Sequence, residues 1–371
     1  MASISKRILP SGKPQWRVSF IDANGGRKRP GFSTWTEADK YRQEIEEQLR
    51  KGSYRPDADR VTVKEVCSAY LEYAERRMQR DERMTRKMLT VYRGHINKHM
   101  LNSDHGIGSR KLSRLTSKAV GDFRDALRSS GVTVSTTRKI ISTLHAILAF
   151  AIGQDWIAAN AAHGVRVIGP RNEGAKKIVP PSKSELKAIL DAADEAFRFA
   201  VLFAASTGVR AGEQWALTWG DVDLDAGTLN ISQRMDSYGD AGPPKSVAGV
   251  RSIPLSSQML TMLKQRRLAA IYSGQGDYIF PNKRGKHTGH DNMMKRQYKP
   301  TLARAGVSGV NWHSLRHYAI STWIEAGMAP KTVQTFAGHS SLQVTMDRYG
   351  HLFPSDNHKL VMDGIAGELL G

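Results

Sequence analysis

A handful of side chains in this sequence suit nucleophilic attack on a phosphodiester. His313 and Arg316 stand in the run His313-Ser-Leu-Arg316, Gly338-His339 follows, and Tyr349 comes last. Arg210 lies about a hundred residues upstream, in Thr207-Gly-Val-Arg210-Ala-Gly-Glu213. A guanidinium holds phosphate oxygens through paired, planar donors. Histidines donate or move protons, and a tyrosine oxygen can attack phosphorus to form a covalent intermediate. Each residue alone has a duller explanation: a solvated arginine, a half-buried tyrosine, or His313 and His317 spaced as a metal-binding pair. The metal reading lacks a third ligand at suitable spacing, and two arginines would repel a cation. The ordered combination carries the chemistry.

The elements that position these residues can be sketched from pattern. His313 and Arg316, three apart on an expected helix, project from one face, with Leu315, Tyr318, Ala319 and Thr322 as the adjoining inward stripe. Ser340-Ser-Leu-Gln343 can cap the next short helix, which carries Thr345 and Tyr349. His339 precedes that helix, and Gly338 permits a sharp turn. Ser182-Lys-Ser-Glu185 forms a capping box at the start of this region. Thr228-Leu-Asn-Ile-Ser and Arg251-Ser-Ile-Pro-Leu read as a short sheet.

Two further segments precede the region. In the first, Trp16–Ile21 alternates as a half-buried strand, and Asn24-Gly25-Gly26 is a hairpin turn. Arg27–Phe32 returns as an edge strand containing Pro30, and Thr36–Lys51 is a helix capped by Thr36. Acidic residues gather on that helix, leaving Lys6, Arg7, Lys13, Arg17, Arg27, Lys28 and Arg29 around the sheet. A basic sheet of this kind can enter a DNA major groove. The second segment is helical throughout, with Val63–Glu75, Val120–Leu127 and Thr136–Ile152 as its clearest stretches. Its basic run of Arg76, Arg77, Arg80, Arg83, Arg86 and Lys87 could grip a duplex backbone, and Cys67 is a core residue. The Pro- and Gly-containing stretch from Gly169 to Pro181 reads as a linker.

Composition agrees with a nucleic-acid partner. Lys and Arg number 55 against 35 Asp and Glu, a net charge of +20 that favours a polyanion. A single cysteine excludes an intrachain disulfide and a cysteine-based zinc site. No signal peptide or membrane-spanning run is read from the sequence, so a cytoplasmic, nucleoid-associated protein without membrane contact is expected.

The pattern Thr-Gly-x-Arg-x-x-Glu, His-x-x-Arg, Gly-His, Tyr resembles the tyrosine recombinase family, specifically phage-type integrases. Gly338 to His351 is similar to the family's nucleophile region over nearly its whole length. The resemblance implies a multidomain α+β fold. Its parts are a small N-terminal three-stranded sheet plus helix as an arm-type DNA-binding domain (1–58), an all-helical core-binding domain (59–168), and a mixed, mainly helical catalytic domain with a small antiparallel sheet and a C-terminal tail (177–371). It also implies roles. Arg210 and Arg316 would clamp the scissile phosphate, Tyr349 would form a 3′-phosphotyrosyl link, and His313 would be the acid/base partner. His339 would bond a phosphate oxygen, Glu213 would orient Arg210, and Lys245, ahead of the Arg251 strand, would protonate the leaving 5′-oxygen. Arg17, Arg27, Lys28, Arg29, Arg83, Arg86 and Lys87 would contact DNA. Gln214 and Phe336-Ala337 depart from the family's usual leucines without touching a chemical role.

The implied partners are double-stranded DNA attachment sites, a homotetramer on DNA, a host DNA-bending protein and an excision factor. The tail residues Leu360, Val361, Met362, Ile365, Leu369 and Leu370 would either close their own domain or pack on a neighbouring protomer. A chromosome-dimer resolvase shares the chemistry, although the basic N-terminal sheet argues against it. A type IB topoisomerase shares the arginines and tyrosine. A non-catalytic DNA-binding regulator would have no need of the tyrosine.

No cofactor is expected. Metal-dependent nucleases need clustered carboxylates, and none gathers near these arginines in the sequence. A phosphotyrosine conserves the energy of the broken bond, and no nucleotide-binding Gly-x-x-x-x-Gly-Lys loop is present. DNA cleavage should therefore proceed in excess EDTA; cleavage lost in chelator and restored by magnesium would reject the tyrosine mechanism.

Overall fold

A computed structural model describes residues 2–22, 25–102, 104–171, 179–353 and 358–370, with 358–361 and 370 described as backbone alone. Asn24 of the expected hairpin turn, linker residues 172–178, and the side chains of Leu360, Val361 and Leu370 lie outside the described residues. The chain divides into two compact units, Met1–Glu173 and Gly174–Gly371.

The first unit opens with strands β1 (Ser3–Ile8), β2 (Pro14–Ile21), β3 (Arg27–Lys28) and β4 (Gly31–Phe32). Central β2 pairs antiparallel with β1 on one side and with β3 and β4 on the other. The sheet thus has three ribbons, the third broken at Arg29-Pro30. Pro30 has no N–H to give, and it sits on the edge, where its carbonyl accepts from Val18 N at 3.0 Å. Helix α1 (Trp35–Arg50) closes one face over Val18 and Phe20, packing Ala38 and Ile45 there. Its cap is Thr34, not Thr36: Thr34 Oγ1 accepts from Glu37 N, and the Glu37 carboxylate accepts from Thr34 N. The sequence Thr34-x-x-Glu37 spells that box two residues earlier than expected.

Register sorts the basic residues of this sheet. Arg17 lies opposite Gly31 and Arg27 opposite Ile21, so both stand on the face that α1 leaves open. Arg7, opposite Gln15, joins them. Lys28, opposite Phe20, is on the helix side and pairs with Asp22 at 3.5 Å. Arg29 is exposed at the break.

Four helices follow: α2 (Val63–Gln79), α3 (Arg86–His95), α4 (Ser117–Ser129) and α5 (Val134–Gly153). Threonines at 62, 85, 116 and 133 cap them in turn, each accepting a backbone N–H of the first turn. Helix α5 is apolar enough to be the central post, burying Ile140, Leu144 and Ile147 against Val66 and Cys67 of α2 and Val120 and Phe123 of α4. Cys67 is a core residue, and burial pushes its thiol up to about 12. Arg83 is exposed in the turn before α3, whose first turn carries the exposed Arg86 and Lys87.

The second unit begins with α6 (Lys183–Ala192), capped by the Ser182/Glu185 box as the sequence reads. Next come α7 (Glu195–Thr207), the short α8 (Ala211–Gln214), and strands β5 (Val222–Asp223), β6 (Thr228–Ile231), β7 (Arg234–Met235), β8 (Ala241–Gly242) and β9 (Arg251–Pro254). β6 pairs antiparallel with β9, as expected, and with β5; β7 and β8 form a separate hairpin. Helices α9 (Ser257–Ala269), α10 (His290–Met293), α11 (Lys299–Arg304), α12 (Trp312–Glu325), α13 (Pro330–Ala337), α14 (Leu342–Tyr349) and α15 (His358–Leu370) complete it. Helices α7 and α12 pack together at the centre, burying Phe203 and Ala204 with Leu315 and Ala319. Met362, Ile365 and Leu369 of α15 are exposed, so at these positions the tail does not close its own domain.

Fully burying a leucine contributes roughly 1.5–3 kcal/mol, and truncation adds the cost of a cavity. Leu144→Ala should therefore lower stability by about 2–5 kcal/mol, read from the urea midpoint of the first unit. An unchanged midpoint would contradict a close-packed position.

Candidate active site

Two helix ends build the site. Helix α7 stops at Gly208 and α13 at Gly338, both with a left-handed φ of 62°. Glycine is needed at each for more than its torsion. A Cβ on Gly208 would come within 2.8 Å of the Trp323 ring, and one on Gly338 within 3.0 Å of Ala248 O and Arg251 Nη1. The carbonyls at these two ends carry the negative pole of their helices and point at arginines. Arg316 donates Nη1 to Gly208 O at 2.5 Å and Nη2 to Ala337 O. Arg210 donates Nη2 to Gly338 O at 2.7 Å. Arg251 donates Nε to Phe336 O at 2.7 Å.

Glu213 joins two of these cations. Its Oε1 accepts from Arg210 Nη1 at 2.7 Å, and its Oε2 accepts from the Arg210 backbone N–H at 2.9 Å and from Arg251 Nη2 at 2.8 Å. The side chains of Glu213 and Arg251 are only 3% and 2% exposed. Burial alone would raise the Glu213 pKa, but the bond and charge of Arg251 and the charge of Arg210 outweigh it and hold the carboxyl at about 2. Arg316 is buried as well. Desolvation, then the charges of Arg210 and Arg251, push it down to about 9, so it stays protonated at neutral pH. Three guanidiniums around one carboxylate leave two surplus positive charges. That excess suits a phosphodiester gaining a second negative charge in a five-coordinate transition state. The Arg210 side chain is 38% exposed and is the open edge of the cluster.

The histidines and the tyrosine complete the group. Tyr349 ends α14 with 1% exposure, packed with Ile320, Ile324, Val333 and Ala337. Its hydroxyl is 2.5 Å from His317 Nδ1, and its ring stacks on His339 at 6.2 Å. Burial pushes the phenol up to about 12, against the opposing pull of Arg316 and Arg348. His339 is buried, with Nδ1 2.9 Å from Thr345 Oγ1, and its carbonyl accepts from Gln334 Nε2. His313 remains exposed on one side, edge-on to His317 at 4.7 Å. Desolvation and the neighbouring cations hold His313 and His317 at about 4 and His339 at about 3. All three are neutral at pH 7.

The structure therefore brings Arg210, Glu213, Arg316, His339 and Tyr349 together, with His313 at the rim. Arg316 faces inward while His313 stays at the surface, so the shared face expected for the pair is resolved into two depths. Ser341 rather than Ser340 caps α14, accepting from Val344 N. Lys245 is exposed in the β8–β9 connection and makes no hydrogen bond or ion pair with any described residue. Two participants escaped the sequence reading. Arg251 looked like an ordinary strand residue, and only its burial shows otherwise. His317 had one available signal, its i+4 spacing from His313. Gln214 is fully buried; its Nε2 donates to Ala200 O at 2.9 Å, while its Oε1 is buried without a hydrogen-bond partner among the described residues. Among the described residues no group of His, Cys, Asp and Glu could hold a metal, and no helix is long and apolar enough to cross a membrane.

A model of the phage integrase family matches residues 182–356, the stretch that contains every residue of this cluster. Residues 182–356 therefore carry the phage integrase family's domain, that of a tyrosine recombinase. A tyrosine recombinase XerC-like protein of Caldanaerobacter subterraneus subsp. tengcongensis is 27% identical over 95% of this chain and 96% of its own length. The ICEBs1 integrase of Bacillus subtilis is 23% identical over 96% and 98%. Among solved structures, a lambda integrase tetramer bound to a Holliday junction has a TM-score of 0.57 at 19% identity, covering 91% of this chain and 95% of that one. That likeness shows the same fold, so the recombinase is multidomain α+β.

The neutral histidines set a pH dependence for the DNA-free recombinase. Between about 6.5 and 4 the unfolded chain binds protons that the folded histidines refuse, so stability is full above 6.5 and falls as pH falls through this window. Glu213 adds a loss of the same sign between 4.5 and about 2. Denaturation midpoints at pH 7, 6 and 5 should decline, and less steeply in His339→Gln; a flat series would contradict neutral burial.

Proposed function

We infer that this site-specific tyrosine recombinase integrates and excises a phage or related mobile element, using Tyr349 to form a 3′-phosphotyrosyl intermediate. One observation carries the chemical reading: the Tyr349 hydroxyl is buried beside an arginine cluster whose donors are braced by two helix ends and one carboxylate. Arg210 and Arg316 clamp the non-bridging oxygens, His339 bonds a phosphate oxygen, and Glu213 fixes the pose of Arg210. Lys245 approaches from its exposed loop to protonate the 5′-oxygen, and DNA is what it must meet to do so. His313, the acid/base partner that the resemblance implies, stands at the rim in ring contact with His317.

DNA is the partner of this protein. In the first unit, residues 1–58 act as the arm-type domain, and the helix-free face bearing Arg17 and Arg27 is its reading surface, with Arg29 beside it. Lys28, engaged by Asp22, contributes from the edge. Residues 59–168 act as the core-binding domain, holding phosphates through Arg83, Arg86 and Lys87, and residues 177–371 as the catalytic domain. Four protomers assemble on paired sites, with the exposed apolar side of α15 seated on a neighbour. A host DNA-bending protein and an excision factor assist, in the nucleoid of a bacterial host. The integrase reading is favoured over a dimer resolvase by the basic N-terminal sheet.

The test mixes the protein and its Tyr349→Phe variant with DNA flanking its own gene. Both should bind, and only the wild type should leave SDS-resistant adducts at a recurring 3′ end. The native mass of the two-site complex should correspond to four protomers. Adducts formed by Tyr349→Phe would reject the tyrosine as nucleophile.

A further inference from the structure

We propose that His317, rather than His313, takes the proton from Tyr349 as the tyrosine attacks. This rests on the reading of Tyr349 as nucleophile and names its base. His317 Nδ1 stands 2.5 Å from Tyr349 Oη, a direct hydrogen bond to the reacting oxygen. The other two histidines do not make that contact. His339 Nδ1 is engaged by Thr345, and His313 meets the His317 ring edge-to-face at 83°. One turn of α12 thus carries an outer histidine exposed at the rim and an inner one bonded to the nucleophile.

The surroundings suit an acceptor. His317 faces His313 and Arg316 on its own helix, and Arg348 and Tyr349 on α14. Burial and the two arginine charges keep the ring unprotonated. With the hydroxyl donating, Nδ1 offers its lone pair and Nε2 carries the ring hydrogen. In the free protein a proton on Nδ1 would sit unfavourably beside two cations. A scissile phosphate bound by the arginines adds the negative charge that offsets them, so base strength rises when DNA is in place.

The step balances. The Oη–H bond breaks and its proton passes to Nδ1 while Oη bonds phosphorus; the P–O5′ bond breaks, and O5′ takes a proton from the acid, Lys245 in this reading. On rejoining, O5′ returns its proton and attacks phosphorus, the P–Oη bond breaks, and Nδ1 gives its proton back to Oη. No co-reactant is consumed.

Single-turnover adduct formation on two substrates tests the assignment, one normal and one with sulfur at the 5′-bridging position. Sulfur leaves without protonation, so it bypasses the acid and leaves the need for a base unchanged. His317→Asn keeps a polar atom near the Nδ1 position without useful basicity. Adduct formation should slow on the order of 10²–10⁴-fold on both substrates, with melting temperature and DNA affinity retained. Lys245→Ala should be slow on the oxygen substrate and recover on the sulfur one. His317→Gln is the second variant should the asparagine fail to fold. A His317→Asn rate within about threefold of wild type, a rate above wild type, or recovery of His317→Asn on sulfur would each overturn the proposal. Adducts from Tyr349→Phe would overturn the nucleophile reading instead.

Discussion

The buried carboxylate of Glu213 is the interaction on which the rest of the site depends. Gathering three guanidiniums inside a protein is unfavourable twice over, since each loses its hydration and each repels the others. Glu213 bonds Arg210 through both side chain and backbone and Arg251 through its outer nitrogen, so one negative charge serves two cations. The ends of α7 and α13 supply the remaining compensation as backbone carbonyls, whose partial charges cost no further ion. Geometry follows from this economy. Because both helices stop at glycines in the left-handed conformation, their terminal carbonyls can turn toward the cluster.

The compensation is deliberately incomplete. Donors satisfied by protein fix the arginines in place, yet the surplus positive charge stays for a substrate to neutralise. An active site built this way has its reorganisation already done when a phosphate enters, which is how preorganised dipoles lower a barrier. The same field keeps the neighbouring histidines neutral. An anion bound at the arginines would offset that field and raise the basicity of these rings.

Arg251 also ties regions that are distant in sequence. It begins β9, directly after the loop that carries Lys245, and it reaches Phe336 O just ahead of the Gly338-His339 turn. Its own Nη1 closes back on Gly249 O at 2.9 Å. One side chain therefore holds the end of the Lys245 loop, the turn before His339 and the carboxylate behind Arg210. Lys245 itself stays outside this bracing, on the exposed part of the loop.

Much of this was legible in the residues alone, for local reasons. Capping boxes such as Ser182/Glu185, the alternation of Trp16–Ile21 and the apolar stripe of α5 are short-range patterns whose physics acts within one or two turns. The ordered set of Arg210, His313, Arg316, His339 and Tyr349 was legible because phosphate chemistry restricts which residue types can serve. Tertiary structure decided what depended on depth and on partners far along the chain. It buried Arg316 while leaving His313 at the rim, turned Lys28 away from Arg17, and drew Arg251 into the cluster. It also placed His317, not His313, against the tyrosine oxygen. No spacing rule announces these outcomes, since burial and long-range hydrogen bonding arise only when α7, α12, α13 and β9 converge.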